Sequence, residues 1–214
     1  MRASEIISEA KMDPRIRKEM ENKGYKLMGK GQDQDVYLDP RNGTILKIFG
    51  TDRNSHNSYT KGQQSVIDFA NYCQKHPDNP FLPQFSGIER FFYGGEYYLQ
   101  IRCERLFEFK DAEYIANQLE GIANNIDHGN SQKQVVNRYK ANPMPYQGDA
   151  DDQNKFILYI GGEQELKQLT GAIKDLSNIA DRKNYGFDLH SGNFMLGSDG
   201  HIVINDPFFT GTWR

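Results

Sequence analysis

The chain is poor in cysteine, in tryptophan and in long apolar runs, and each scarcity excludes something. Its 2 cysteines, Cys73 and Cys103, can build neither a disulfide framework nor a zinc site, and they suit a reducing compartment. No apolar stretch approaches the roughly eighteen residues of a membrane-crossing helix, and the opening Met1-Arg2-Ala3-Ser4-Glu5 lacks the core of a secretory signal. Neither sign of charge prevails. With 26 Lys and Arg against 29 Asp and Glu, the net charge of −3 gives no electrostatic case for nucleic acid. The basic residues between Lys11 and Lys23 are interleaved with acids and read as a solvated amphipathic helix. The expectation is a soluble, cytoplasmic protein with neither membrane nor nucleic acid as partner.

What is present suits a globular fold. A chain of 214 residues with 37% hydrophobic content can bury a substantial core in one large domain or a two-lobed one, and no internal repeat is evident. Helical pattern is expected near Arg2 to Asn22, with Asp13-Pro14 a good helix start, and from about Ser58 to Lys75. Strands near Gln84 to Tyr93 and Glu96 to Cys103 face each other across the Gly94-Gly95 turn, and their aromatics Phe91, Phe92, Tyr93, Tyr97 and Tyr98 are read as core packing. Asp111 to Ile126 reads as an amphipathic helix and Asn130 to Lys155 as a long polar loop. Glu163 to Arg182, with Leu166, Leu169, Ile173, Leu176 and Ile179 on one face, is the strongest helix pattern in the chain.

Two constellations carry chemistry. In the first, Asp188-Leu189-His190-Ser191-Gly192-Asn193 sets a carboxylate and an amide five positions apart, and Asp206-Pro207-Phe208 follows. Phosphoryl transfer needs a carboxylate to take the proton of an attacking hydroxyl and oxygen ligands to hold magnesium on the nucleotide phosphates. Asp188 fits the first role, Asn193 and Asp206 the second. Between them Phe194-Met195-Leu196 and His201 to Asn205, joined by Gly197-Ser198-Asp199-Gly200, predict a hairpin that carries Asp206 back beside Asn193. The same pattern also fits an ordinary surface hairpin flanked by solvated acids.

In the second, Gly29 and Gly31 precede the apolar strand ending Val36-Tyr37-Leu38, and Thr44 to Phe49 answers it across the turn Asp39-Pro40-Arg41-Asn42-Gly43. Glycines let backbone N–H groups approach phosphate oxygens. Lys47 interrupts the apolar run Ile45, Leu46, Ile48, Phe49, and its ammonium can reach the same phosphates.

In content and in order these segments resemble the protein-kinase-like superfamily over nearly the whole chain. The matching stations are the loop from Gly29 to Val36, Lys47, a helix, His76-Pro77-Asp78-Asn79-Pro80-Phe81-Leu82-Pro83, a hinge at Glu104-Arg105-Leu106, Asp188 to Asn193, and Asp206-Pro207-Phe208. The resemblance implies an α+β, two-lobed fold: an antiparallel sheet lobe over residues 1–103 and a truncated, mainly helical lobe over 104–214. It implies ATP and Mg2+ as cofactors and a protein substrate, most simply a Ser/Thr hydroxyl. Lys47 would pair with the α- and β-phosphates, Gly29, Gly31 and Val36 would cover the nucleotide, backbone groups of Glu104 and Leu106 would read adenine, Asp188 would be the catalytic carboxylate, and Asn193 and Asp206 would ligate the metal.

Several positions depart from the family pattern. Gly186-Phe187-Asp188 lacks the arginine that binds a phosphorylated activation loop, which argues against that form of control, and Gln34 stands where a third glycine is usual. The helix contains no glutamate between Phe49 and Lys75; Asp68, four residues after Gln64, is the candidate partner for Lys47, or else a solvated acid. His190 is closer to aminoglycoside and choline phosphotransferases. After Phe208 only Phe209-Thr210-Gly211-Thr212-Trp213-Arg214 remain, similar to the minimal kinases of T7-like podoviruses and compact bacterial effectors, although a cut from a larger protein gives the same ending. For a viral or effector protein the compartment would be the host-cell cytoplasm. A small-molecule phosphotransferase, a nucleotide-binding pseudokinase and an adenylyl transferase stay open beside the protein kinase.

Overall fold

The computed structural model describes residues 12–30, 34–50, 59–108, 115–116, 119 and 160–210. Gly31, most of Asp111 to Ile126, the loop Asn130 to Lys155 and Trp213 lie outside them. The protein is α+β: the described residues include a five-stranded antiparallel sheet and three helices with defined bounds, and no helix among them is long and apolar enough to cross a membrane. The chain divides into two compact units, Met1–Ala70 with Gln84–Arg105, and Asn71–Pro83 with Leu106–Arg214.

The first unit begins with α1, Pro14–Asn22, where Asp13 caps the helix by accepting the Arg15 N–H at 2.8 Å and Pro14 occupies the first turn. Strands β1 (Lys26–Lys30), β2 (Gln34–Leu38), β3 (Ile45–Phe49), β4 (Phe85–Tyr93) and β5 (Glu96–Cys103) pair antiparallel in the order β1-β2-β3-β5-β4. A bulge between Leu27 and Gly29 shifts the β1 register. The β4–β5 hairpin turns on Gly94 and Gly95, both at positive φ, the geometry a two-residue turn demands.

Alternation along the central strands gives the sheet two buried faces. Leu46, Ile48, Tyr37 and Tyr98 pack with Ile16 and Met20 of α1. Phe49, Leu99 and Ile101 pack with Ile67 of α2, which spans Lys61–Lys75. The expectation for the aromatic hairpin holds for Tyr98, Phe91 and Tyr93, but Phe92, which alternates with Phe91 and Tyr93 onto the other face, is 61% exposed. The solvated reading of α1 needs a similar correction. Arg17 reaches across to the buried carboxylate of Asp35, with Nε at 2.6 Å and Nη2 at 3.1 Å, and the Tyr37 hydroxyl donates to the same carboxylate at 3.2 Å.

The second unit is organised by α3, Glu163–Lys183. Its buried positions Leu166, Leu169, Ala172, Ile173, Leu176 and Ala180 recur at helical spacing, with Ala180 rather than Ile179 completing the stripe. The Glu165 side chain accepts the Gly162 N–H at 2.9 Å at the start, and Asn184 at φ 55° ends the helix in the left-handed conformation. Three short pairings follow: β6 (Gly186–Phe187) with β9 (Phe208–Phe209), β7 (Phe194–Leu196) with β8 (Ile202–Ile204), and a bridge from Phe107 to Leu196.

The division between units differs from the expected break after Cys103. It falls between Arg105 and Leu106, and the His-Pro turn joins the second unit. The reason is hydrogen bonding: the Phe81 carbonyl accepts the Ile204 N–H at 2.9 Å, and the Asn79 amide donates to the Gln168 carbonyl at 3.3 Å.

Candidate functional site

Backbone hydrogen bonds alone gather three of the residues singled out by sequence. Where β6 ends, the Asp188 N–H donates to the Pro207 carbonyl at 2.9 Å, extending the β6–β9 ladder by one rung. Where the β7–β8 hairpin ends, the Asn205 N–H donates to the Asn193 carbonyl at 2.8 Å. Asp206 is the single residue between Asn205 and Pro207, so it is bracketed by a bond to each segment that carries Asp188 and Asn193. Its φ of 55° is left-handed, a conformation that aspartate tolerates better than most residues but still at a cost.

The loop from Asp188 to Asn193 closes on itself. The Asn193 side-chain amide donates to the Asp188 carbonyl at 3.0 Å, and the Asn193 N–H donates to the His190 carbonyl at 2.9 Å. Asn193 is buried, and Asp188 is half-buried with its carboxylate turned to the loop, where Oδ1 accepts the His190 N–H at 3.3 Å. The His190 ring accepts the Gly192 N–H on Nδ1 at 2.9 Å, while Nε2 stands 3.5 Å from Asp188 Oδ2. Beneath the loop, Tyr185 and Phe208 pack at 5.5 Å between ring centroids and Leu189 is buried. Phe208 is buried in β9.

The first unit holds the other constellation as one row across the sheet. Gly29 pairs with Val36, Val36 with Lys47, Lys47 with Ile101, and Ile101 with Ile88. Directly paired residues share a face, and Lys47 alternates with Leu46 and Ile48, so the row lies on the face that α2 covers. Along it burial falls from Ile101, fully enclosed, through Lys47 and Val36, half-buried, to Gly29, where an added Cβ would meet no atom within 4 Å. Neither crowding nor positive φ requires a glycine there.

On α2, Asp68 Oδ1 accepts the Gln64 amide at 3.0 Å, as their spacing predicts, and both are half-buried. After β5, the Glu104 N–H donates to the Gln84 carbonyl at 2.9 Å. Cys103, just before it, is pushed up by burial, with the Lys47 ammonium opposing, which leaves an inert thiol. Among the described residues there is no group of three or more His, Cys, Asp and Glu side chains able to hold a metal ion. Magnesium asks for less, since one or two carboxylates with substrate phosphates satisfy it.

Sequence reading missed the Arg17–Asp35–Tyr37 cluster, whose members lie up to 20 positions apart with no motif to announce it. It also missed that His190 faces Asp188; the available signal was a ring two residues beyond a carboxylate in a loop with a glycine. Neither a known protein-family model nor a curated protein sequence matches this chain.

Proposed function

We propose that this chain is an ATP- and magnesium-dependent phosphotransferase with a minimal two-lobed, protein-kinase-like fold, acting on a Ser or Thr hydroxyl of a protein. The observation that carries the reading is the bracketing of left-handed Asp206 by bonds to the Asp188 and Asn193 segments.

Asp188 accepts the proton of the acceptor hydroxyl as its oxygen bonds to the γ-phosphorus and the bond to the β,γ-bridging oxygen breaks, releasing ADP. Lys47 pairs with the α- and β-phosphates, with Asp68 as its carboxylate partner on α2. The Glu104 carbonyl and Leu106 N–H read the adenine edge, while Gly29, Gly31 and Val36 give the nucleotide close approach. Asn193 and Asp206 fit magnesium as hard oxygen donors, and the ion supplies charge neutralisation at the phosphate oxygens when bound.

The test is incubation with γ-labelled ATP and magnesium in lysate beside an Asp206→Ala control. Label on protein that disappears in the control is the expected result; equal labelling by both proteins rejects the assignment. Label from α-labelled ATP instead would indicate an adenylyl transferase, label on small molecules a small-molecule kinase, and nucleotide binding without transfer a pseudokinase.

A further inference from the structure

We propose that His190 is a positioning residue for the Asp188 carboxylate, acting through a ring whose tautomer the loop itself sets. The inference rests on the reading of Asp188 as proton acceptor and adds a part that reading does not contain.

The Gly192 N–H donates to His190 Nδ1 at 2.9 Å, so Nδ1 carries the lone pair and a neutral ring holds its proton on Nε2. Nε2 is the atom that faces Asp188 Oδ2, at 3.5 Å. The other oxygen, Oδ1, accepts the backbone N–H of the same histidine at 3.3 Å. One residue therefore addresses both carboxylate oxygens, from its main chain and from its ring. The distances are long, as catalytic contacts commonly are before substrate tightens them.

The ring is held on its far side as well. A Cβ at Gly192 would stand 2.7 Å from His190 Cε1, so only glycine lets the main chain approach closely enough to donate to Nδ1. Gly192 leads directly to Asn193, whose N–H bonds the His190 carbonyl and whose amide bonds the Asp188 carbonyl. Loop closure thus fixes the imidazole, and the imidazole fixes the rotation of the carboxylate about its Cβ–Cγ bond. An unheld carboxylate would present either oxygen to the acceptor hydroxyl, with a loss in the rate of transfer and none in nucleotide affinity.

Two substitutions separate the functions of the ring. His190→Gln can place an amide N–H near the Nε2 position and keeps the donor toward Asp188. His190→Asn can place its oxygen near the Nδ1 position and keeps only the acceptor for Gly192. With magnesium and ATP, kcat is expected to fall on the order of tenfold in His190→Asn, the loss of one polar contact to a charged group. KM for ATP should stay within a factor of two or so, and His190→Gln should recover most of kcat. A kcat unchanged in His190→Asn, or lower in Gln than in Asn, overturns the positioning role. If the unsubstituted protein transfers no phosphate while still binding nucleotide, the reading of the site fails instead, and the two failures are told apart by that control.

Discussion

At Asp206 one residue carries two demands, a backbone turn and a charge. Asparagine tolerates the left-handed conformation as aspartate does and has nearly the same shape. Asp206→Asn should therefore melt close to the parent protein yet lose about 100-fold or more in phosphotransfer, because the carboxylate proposed to neutralise metal charge is gone. Thermal melts and γ-phosphate transfer read the two separately; full activity in this variant sinks the metal role. Gly29 poses the opposite case, a residue with no structural reason to be small. Gly29→Ala should leave stability within about 1 kcal/mol of the parent, while the nucleotide KM rises several-fold. If neither changes, the open space above Gly29 is not a nucleotide subsite.

The elements that hold these residues depend on buried charge as well as apolar packing. Asp35 is almost wholly enclosed, and Arg17 supplies its bidentate partner from α1. Removing the guanidinium strands a buried carboxylate, so Arg17→Met should destabilise by about 3 kcal/mol in denaturant titration. Adding Asp35→Asn should recover part of that loss; a double variant no better than Arg17→Met assigns the effect to lost packing. The β2–β3 turn carries a titratable counterpart. Hydrogen bonds from the Arg41 side chain to Asp39, at 2.7 Å from Nε and from Nη2, hold its carboxyl down to about 2. A lowered folded-state value means stability present above the ordinary carboxyl range near 4 and lost as pH falls toward 2. The melt difference between the parent and Asp39→Asn should be constant from pH 7 to 5 and shrink below 4; a difference that persists at pH 2 shows that charge is not its source. Much at this scale was legible. The start of α1, the β4–β5 hairpin and the apolar stripe of α3 follow local rules of turn chemistry and periodicity, which act over four residues or fewer. The Arg17–Asp35 pair depends on α1 packing on the sheet, and no local pattern encodes that.

Over the whole molecule, legibility follows the same divide between near and distant partners. Asp188, Asn193 and Asp206 could be grouped from sequence because a short hairpin joins them, so its turn residues fix their proximity. The membership of 71–83 could not, since it rests on Phe81 and Asn79 bonding to residues some ninety to more than a hundred positions away. Lys47 and Asp206 belong to different units, and what links them in the proposal is chemical: both are assigned to the phosphates and metal of one nucleotide. That assignment has a thermodynamic signature. A ligand that binds only the folded protein at about 100 times its Kd adds roughly 2.7 kcal/mol, which for a chain of this size raises the melt by about 5–10 °C. Magnesium with ADP should produce such a shift in the parent protein. It should be much reduced without magnesium, in Asp206→Asn and in Lys47→Ala, whereas His190→Asn should keep it, since that ring is assigned to the carboxylate and not to the nucleotide. A full shift in Lys47→Ala would remove the lysine from the phosphate site, and a shift that ignores magnesium would do the same for Asp206.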